Sequence, residues 1–279
     1  MRTAADATAL PTSVYRTTLD RVGLVAQLVN HGYAVVDGLL ADLEKDLPAL
    51  LAEARRAAAV PGEPAARLPV VKVTDQDQSI RRDLTHDVDP HDVVQLPLLA
   101  KAARTLQFLV GGAVDTFMPQ PLYTRERPQF AYYAGNGSFY RRHFDNPRNL
   151  PDGSDNLRRI TILLYLNEGW PDSTGIDTRE AGASNANSRS SGSPGGELRL
   201  LLRDPTSFEV NIAPVANRCV VFFSDLIEHE VLPSNGHRLA ITVWLSECPD
   251  PPSDDSEALM RKFFVFRSRQ VAEAHDANL

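Results

Sequence analysis

Apolar residues in the first half of the chain recur at helical intervals, and in the second half they fall into short alternating runs. Leu19, Val22, Leu24, Val25, Leu28 and Val29 keep helical spacing and lead into His31-Gly32, a natural helix end. Tyr33 to Gly38 reads as a short strand and turn. Leu39 to Ala59 is again helical, rich in Ala and Leu with Pro48 near its first turns, and Pro61-Gly62-Glu63-Pro64 stops it. Residues 68–95 alternate short apolar and polar runs, which predicts strands and a loop around Asp75 to Asp92. Another helix is predicted over Leu96 to Val114, with Leu98, Leu99, Ala102, Leu106, Leu109 and Val110 on its apolar stripe.

From Gln129 onward the pattern predicts strands at 129–134, 160–167, 197–202, 208–213, 218–224, 229–233 and 238–246. Short strands at this spacing, separated by turn signals, predict an antiparallel sandwich or barrel. A helix-like segment, Ser256 to Ala274 with Leu259, Phe263, Phe264 and Phe266, closes the chain. The organisation expected is a flexible lead-in over 1–14, a support region over 15–128, a strand-rich core over 129–247 and a helical tail over 248–279. Pro171 to Gly196 is rich in Ser, Gly, Asn and Ala and nearly empty of large apolar residues, so it is expected to be a mobile inserted loop.

Composition narrows the setting. Of 279 residues, 43% are hydrophobic and 23% charged, as in an ordinary globular protein. A net charge of -7 argues against a surface that binds nucleic acid as a whole. Cys219 and Cys248 give no disulfide framework, which favours a reducing compartment. No run approaches the roughly 20 apolar residues of a membrane span, and Met1 to Leu10 lacks the apolar core of a secretory signal. The expectation is a cytosolic or nuclear protein with no membrane or nucleic-acid partner, acting as a monomer.

The chemistry concentrates in His143-Phe144-Asp145, His229 and Arg238. Two imidazoles and one carboxylate are the protein ligands of the facial triad that holds non-haem Fe(II) with positions left open. In an extended segment His143 and Asp145 project to one side, and a double sheet can bring His229 beside them. A lone His-X-Asp is weak evidence, since it is more often a surface ion pair; His229 and Arg238 add strand context. Ser234-Asn235-Gly236-His237 carries the Asn-Gly signal of a tight hairpin between the His229 strand and the next. On that next strand Arg238, Ala240, Thr242 and Trp244 share one face, and Leu239, Ile241, Val243 and Leu245 the other. The first set would floor a pocket in which Arg238 anchors a carboxylate; the plain alternative is an outward Arg on a sheet edge. Tyr165 shares a face with Thr161 and Leu163 and would bond the same ligand, or else be a core tyrosine bonded to backbone. His31, His86, His91, His237 and His275 fall in turns or polar loops and are expected to be solvated. No Walker or dinucleotide glycine motif occurs, and Ser224-Asp225 near His229 lacks a Gly-X-Ser-X-Gly elbow.

The run Tyr132-Tyr133-Ala134-Gly135-Asn136-Gly137-Ser138-Phe139-Tyr140-Arg141-Arg142-His143-Phe144-Asp145-Asn146-Pro147 resembles the iron-binding segment of the oxygen-sensing prolyl hydroxylases. These are the hypoxia-inducible-factor type within the Fe(II)/2-oxoglutarate-dependent dioxygenases. Leu164-Tyr165-Leu166-Asn167, Gly195-Gly196-Glu197-Leu198-Arg199 and Arg238-Leu239-Ala240-Ile241-Thr242-Val243-Trp244 continue the likeness in order. The likeness is strong over 129–247 and faint over 15–128.

The resemblance implies a mainly β fold with supporting helices: a double-stranded β-helix (jelly-roll) core flanked by N-terminal helices and a C-terminal helix. It implies His143, Asp145 and His229 as ligands of Fe(II), with 2-oxoglutarate and O₂ as co-substrates and ascorbate as an accompanying ligand. Arg238 would pair with the distal carboxylate of 2-oxoglutarate, Tyr165 and Tyr133 would hydrogen-bond it, and Thr242 and Trp244 would line the pocket. Near the protein substrate it places Arg158 and Trp244, and the Ile80-Arg81-Arg82-Asp83 loop, with Asp83 pairing with Arg158 across a closed loop and Arg81 beside it. The activity implied is hydroxylation of a prolyl residue in a target protein, with a role in oxygen sensing. The 171–196 insertion is longer than the family's connection, and the loop around Asp75 to Asp92 matches loosely, so substrate identity stays open. Two other readings stay open as well: an oxygenase of a free amino acid or small metabolite, and a non-catalytic iron-binding sensor on the same scaffold.

Overall fold

A computed structural model describes residues 14–62, 78–147, 155–170, 194–202 and 208–247, and the backbone of 176–180. Helix α1 (Arg21–His31) is capped at both ends by its own sequence. The Asp20 carboxylate accepts the Gly23 N–H at 3.0 Å. Gly32 closes it in the left-handed conformation at φ +78°, a geometry that a side chain would strain. Strand β1 (Tyr33–Val36) follows as expected.

The next helix departs from its expected span. Helix α2 is Asp46–Ala57, and the residues from Leu39 to Lys45 are not part of it. Leu40 bridges to Thr17, and the Asn217 side chain takes up its backbone on both sides. Asn217 accepts the Leu40 N–H at 2.7 Å and donates to its carbonyl at 3.1 Å. Tertiary hydrogen bonds thus hold a stretch whose composition alone favours helix. Strand β2 (Leu84–Asp87) comes next, and then the helix expected over 96–114. That helix is real but not uniform: α3 (Pro97–Thr105) passes through a π turn at Leu106–Val110 into α4 (Gly111–Asp115). The Glu53 carboxylate of α2 accepts the Leu98 and Leu99 N–H groups at its start, at 2.9 and 2.7 Å.

The remaining strands are β3 (Leu122–Tyr123), β4 (Gln129–Ala134), β5 (Ser138–His143), β6 (Arg158–Tyr165), β7 (Ile176–Glu180) and β8 (Leu198–Leu202). Strands β9 (Phe208–Ile212), β10 (Cys219–Phe223), β11 (Glu228–Ser234) and β12 (His237–Glu247) complete the set. They form two antiparallel sheets, ordered β1-β10-β6-β12-β4-β2, with β3 also on β12, and β5-β11-β8-β9-β7. This is a jelly roll, a mainly β core with helices on one face. Three differences from expectation stand out. Strands β3 and β5 add to the expected list. Strand β7 lies inside the segment expected to be a loop, paired along its length with β9. The turn Ser234 to His237 is no hairpin, because β11 belongs to the second sheet and β12 to the first. Both edges of β11 are taken by β5 and β8, so the chain crosses between sheets there. Neither Asn235 nor Gly236 has the positive φ that a two-residue hairpin of type I′ needs. Of the residues expected to be solvated, His86 and His237 lie on strands, and Tyr132 Oη meets His237 Nδ1 at 2.9 Å. The expected closing helix, Cys248 and His275 lie outside the described residues. Among the described residues, no helix is long and apolar enough to cross a membrane.

Alternation decides where the core sits. Leu239, Ile241, Val243 and Leu245 of β12, Ile160, Ile162 and Leu164 of β6, and Phe130 and Tyr132 of β4 face the helices, packing with Leu24, Leu28, Leu50, Leu99 and Leu106. The intervening residues Ala131, Tyr133, Leu163, Tyr165 and Ala240 face the second sheet and meet Leu198, Leu200, Val210 and Val231. The first interior is a layer of mostly aliphatic side chains. The second contains the cleft. Asn217→Ala, which removes both bonds to Leu40 at a residue with φ +64°, is expected to destabilise the protein by about 2–3 kcal/mol. Urea denaturation followed by circular dichroism measures this, with the native spectrum unchanged.

Candidate active site

His143, the last residue of β5, and His229, the second of β11, are direct cross-strand partners. Their rings lie 4.2 Å apart between centroids. Asp145 lies beyond the end of β5, in the bend that follows, so strand alternation does not align it with His143 as expected. The bend is held instead by backbone contacts: Asn156 Nδ2 donates to the Asp145 carbonyl at 2.7 Å, and the Asn146 N–H to the Ser224 carbonyl at 3.0 Å. The outcome is the same juxtaposition. His143 Nε2 is 3.6 Å from Asp145 Oδ1, and His229 Nε2 is 3.8 Å from Oδ2.

Each imidazole is oriented from behind. His143 Nδ1 meets the Arg141 carbonyl at 2.7 Å, and His229 Nδ1 the Ile227 carbonyl at 3.2 Å. A carbonyl can only accept, so each Nδ1 carries a proton and each Nε2 is the atom left facing Asp145. Two hydrogen bonds hold Oδ2 of the carboxylate, and Arg158 Nη1 lies 3.9 Å from Oδ1. Thr161 Oγ donates to Oδ2 at 2.6 Å and Trp244 Nε1 at 3.1 Å. Thr161 and Trp244 are cross-strand partners on β6 and β12, and Ser224 Oγ meets Thr161 Oγ at 2.8 Å. Burial by itself would favour a protonated Asp145; the two imidazoles and the Thr161 hydroxyl outweigh it and keep the carboxyl well below the usual range. Burial and the neighbouring His143 push His229 down to about 4, leaving it neutral near pH 7. Two imidazoles and an ionised carboxylate, with ligand atoms within 4.8 Å of one another, make the donor set of a facial-triad iron site.

The same cleft contains an unmatched cation. Arg238 is 1% exposed, and among the described residues it has no ion-pair partner. Its Nε donates to the Gly196 carbonyl at 2.9 Å and its Nη2 to Tyr165 Oη at 3.4 Å. Its guanidinium lies 4.7 Å from the centre of the Tyr133 ring and 5.0 Å from that of Tyr165. A buried charge without a counter-ion is costly, which marks the place as one shaped for an anion. Burial pushes the Tyr133 and Tyr165 phenols up, so both stay protonated and able to donate. Gly195-Gly196 is required here: both residues have positive φ, and a Cβ on Gly195 would sit 2.2 Å from the Pro233 carbonyl oxygen.

The cleft is lined by all three metal-ligand candidates together with Arg238, Tyr133, Thr242 and Trp244. Arg81 and Asp83 line it too, but the expected pairing of Asp83 with Arg158 does not form. Arg81 takes both Asp83 oxygens, Nε to Oδ1 at 2.7 Å and Nη2 to Oδ2 at 2.5 Å. The two are neighbours on one face of an extended segment, so their bidentate pairing needs no loop closure. Arg158 pairs with Glu126, with Nε to Oε1 at 2.8 Å, and lies 4.1 Å over the Trp244 ring. Sequence reasoning missed Ser224, Asn146, Asn156 and Glu126, which act on the site through hydrogen bonds that cross the fold. It also missed Tyr140, whose ring stacks on His143 at 3.8 Å. The only local signal was the position of Tyr140 three residues before a ligand.

A family model described as the 2OG-Fe(II) oxygenase superfamily matches residues 128–246, the stretch that carries every one of these ligand and anchor residues. Residues 128–246 are a 2OG-Fe(II) oxygenase domain. The chain is similar to a Caenorhabditis elegans hypoxia-inducible factor prolyl hydroxylase, 34% identical over 152 residues, covering 52% of this chain and 17% of that protein. It is 36% identical over 125 residues to human prolyl hydroxylase EGLN3, covering 44% of this chain and 41% of that one. The chain thus spans less than half the length of the curated relatives it matches. A crystal structure of a Pseudomonas putida prolyl-4-hydroxylase aligns over 82% of this chain and 99% of that chain, with TM-score 0.59 and 26% identity.

Thr161→Val combined with Trp244→Phe, which frees Asp145 Oδ2 of both donors, is expected to weaken Fe(II) or Co(II) binding about 10–100-fold. Anaerobic titration calorimetry reads the change directly. A second expectation concerns chelator-treated protein. The unfolded chain protonates His229 near its ordinary 6.5, and the folded one only near 4. Acid therefore favours unfolding: stability present above pH 6.5 is lost as pH falls toward 4, by about 3 kcal/mol. Thermal unfolding across this range measures it, and His229→Gln is expected to flatten the profile.

Proposed function

We propose that this protein is an Fe(II)- and 2-oxoglutarate-dependent dioxygenase that hydroxylates a prolyl residue in a protein. The observation that carries the co-substrate is Arg238, a buried cation with no ion-pair partner among the described residues, in one cleft with His143, Asp145 and His229. Prolyl substrates are supported by the prolyl hydroxylase names of the relatives over the oxygenase domain. His143, Asp145 and His229 would hold the iron. Bound there, Fe(II) with 2-oxoglutarate and O₂ supplies the oxidising power that places one oxygen atom in a C–H bond, as the co-substrate becomes succinate and CO₂.

The protein's own groups orient and shield. Arg238 would fix one carboxylate, and Tyr133, which lines the cleft, and Tyr165, whose hydroxyl meets the Arg238 guanidinium, would donate to the same ligand. Thr242 and Trp244 wall the cleft, and Leu163, Leu198, Val231 and Ala240 keep it apolar. Thr161 and Trp244 hold Asp145 by hydrogen bonds to its Oδ2. Arg81, Asp83 and Arg158 belong to the rim that a peptide would meet. Ascorbate use and an oxygen-sensing role belong to the same proposal, supported by the likeness to the sensing hydroxylases. A cytoplasmic or nuclear location is supported by Cys219, which is buried and outside any disulfide. The proposal takes the protein to act as a monomer.

Succinate release and mass gain of oxygen on proline-containing peptides test the reading together. His143→Ala and Asp145→Ala are expected to abolish both. Arg238→Lys, which keeps the charge and loses the fork, is expected to raise KM for 2-oxoglutarate about tenfold or more. Wild-type turnover in either ligand variant sinks the assignment of the site. Succinate formed with no prolyl peptide modified points to a small-molecule substrate, and no succinate at all to a binding protein.

A further inference from the structure

Beside the cleft, outside its wall, three side chains form a group that the oxygenase chemistry does not use. Segment Ile80–Arg82 lies along the edge of β5, the Arg82 N–H donating to the Phe139 carbonyl at 2.9 Å and the Arg141 N–H to the Ile80 carbonyl at 2.8 Å. Arg81 and Tyr140 face each other across this contact and turn inward, where both line the cleft. Their neighbours Arg82 and Arg141 turn outward and are exposed. The two guanidinium carbons lie 5.3 and 5.8 Å from the centre of the half-buried Phe139 ring, within cation–π range. Ile80, 49% exposed, adjoins them.

Neither Arg82 nor Arg141 has an ion-pair partner among the described residues, although Arg82 Nε donates to the Gln78 carbonyl at 3.2 Å. Apart from the buried Arg238, the arginines around the cleft are neutralised. Arg81 is paired with Asp83, Arg158 with Glu126, and Arg142 with Glu230. In a chain with 36 acidic and 29 basic residues, two adjacent cations left unmatched beside an aromatic ring stand against the overall balance.

We propose that Arg82, Phe139 and Arg141 form a docking site for an acidic stretch of the substrate polypeptide, next to the residue being hydroxylated. The site rests on the peptidyl reading above and gives that substrate a chemical character. Charge selects carboxylates, which guanidinium groups bind in a matching fork, and the Phe139 ring with Ile80 offers apolar contact between them. The ligand candidate His143 is four residues from Phe139 on β5, about 13 Å of extended chain. The acidic stretch therefore falls about four residues from the target.

Fluorescence anisotropy with labelled peptides tests it without requiring turnover. Peptides share one central proline and carry, four residues away, three Glu, three Gln or three Lys. The wild-type protein loaded with Co(II) and 2-oxoglutarate is expected to bind the Glu peptide about tenfold tighter than the Gln peptide, with the difference shrinking at 0.5 M salt. Arg82→Gln with Arg141→Gln is expected to abolish this preference while Co(II) binding stays as in the wild type. Phe139→Leu is expected to weaken the Glu peptide severalfold and leave the charge preference in place. Equal binding of the Glu and Lys peptides, a preference that survives in the double variant, or tighter binding of single-stranded DNA overturns the site. Hydroxylation of the same peptides is scored separately. An arginine-dependent Glu preference with no hydroxylation keeps the docking site and removes the prolyl reading. Hydroxylation with no preference does the reverse.

Discussion

Strand β12 has both of its edges committed, one to β6 and the other to β4 and β3, and this fixes its register on either side. The register in turn decides which of its residues meet the helices and which meet the second sheet. A slip by one residue would send Arg238, Thr242 and Trp244 into an aliphatic layer and turn Leu239, Ile241 and Val243 toward the cleft. Neither exchange is tolerable, since a guanidinium in that layer would have no partner and leucines in the cleft would fill it. The central sheet is therefore held in place by two interiors of opposite character, and the cleft with its metal-ligand candidates follows from that arrangement.

Electrostatics in the cleft is organised around two buried charges treated in opposite ways. Asp145 is ionised because its surroundings supply two hydrogen bonds to one oxygen and two imidazoles nearby. Arg238 receives acceptors and aromatic faces but no carboxylate from the described chain. The first arrangement suits a ligand that must stay deprotonated to meet a cation. The second suits a group waiting for an anion. Their occurrence in one cleft, walled by apolar side chains, is what makes a dicarboxylate co-substrate and a metal the natural occupants.

Several departures from the sequence-based expectations share one cause. Leu39 to Lys45 has helical composition, yet Asn217, far along the chain, takes the hydrogen bonds of Leu40. The Asn-Gly turn has hairpin chemistry, yet β11 has no free edge to offer β12. Strand β7 lies in a segment whose composition is typical of loops, and its pairing with β9 makes it a strand. Asp83 finds its partner two residues away in Arg81, so the expected long-range pair to Arg158 is not needed. In the first three cases a partner that local pattern cannot reveal determines the outcome; for Asp83 a near neighbour takes the place of the expected distant one.

By itself the sequence determined the features whose causes are local: the helix ending at Gly32, the alternation along β4, β6 and β12, and the chemical identity of His143, Asp145, His229 and Arg238. Side-chain period, capping and ligand chemistry act within a few residues, so they can be read without a fold. Tertiary structure alone decided that His143 and His229 sit opposite each other across two strands. It also placed Asp145 at their apex by a held bend and gave Thr161, Ser224 and Trp244 the task of steadying it. Those facts depend on which strand edges are free and which distant hydrogen bonds form, and such terms enter only when the chain closes on itself.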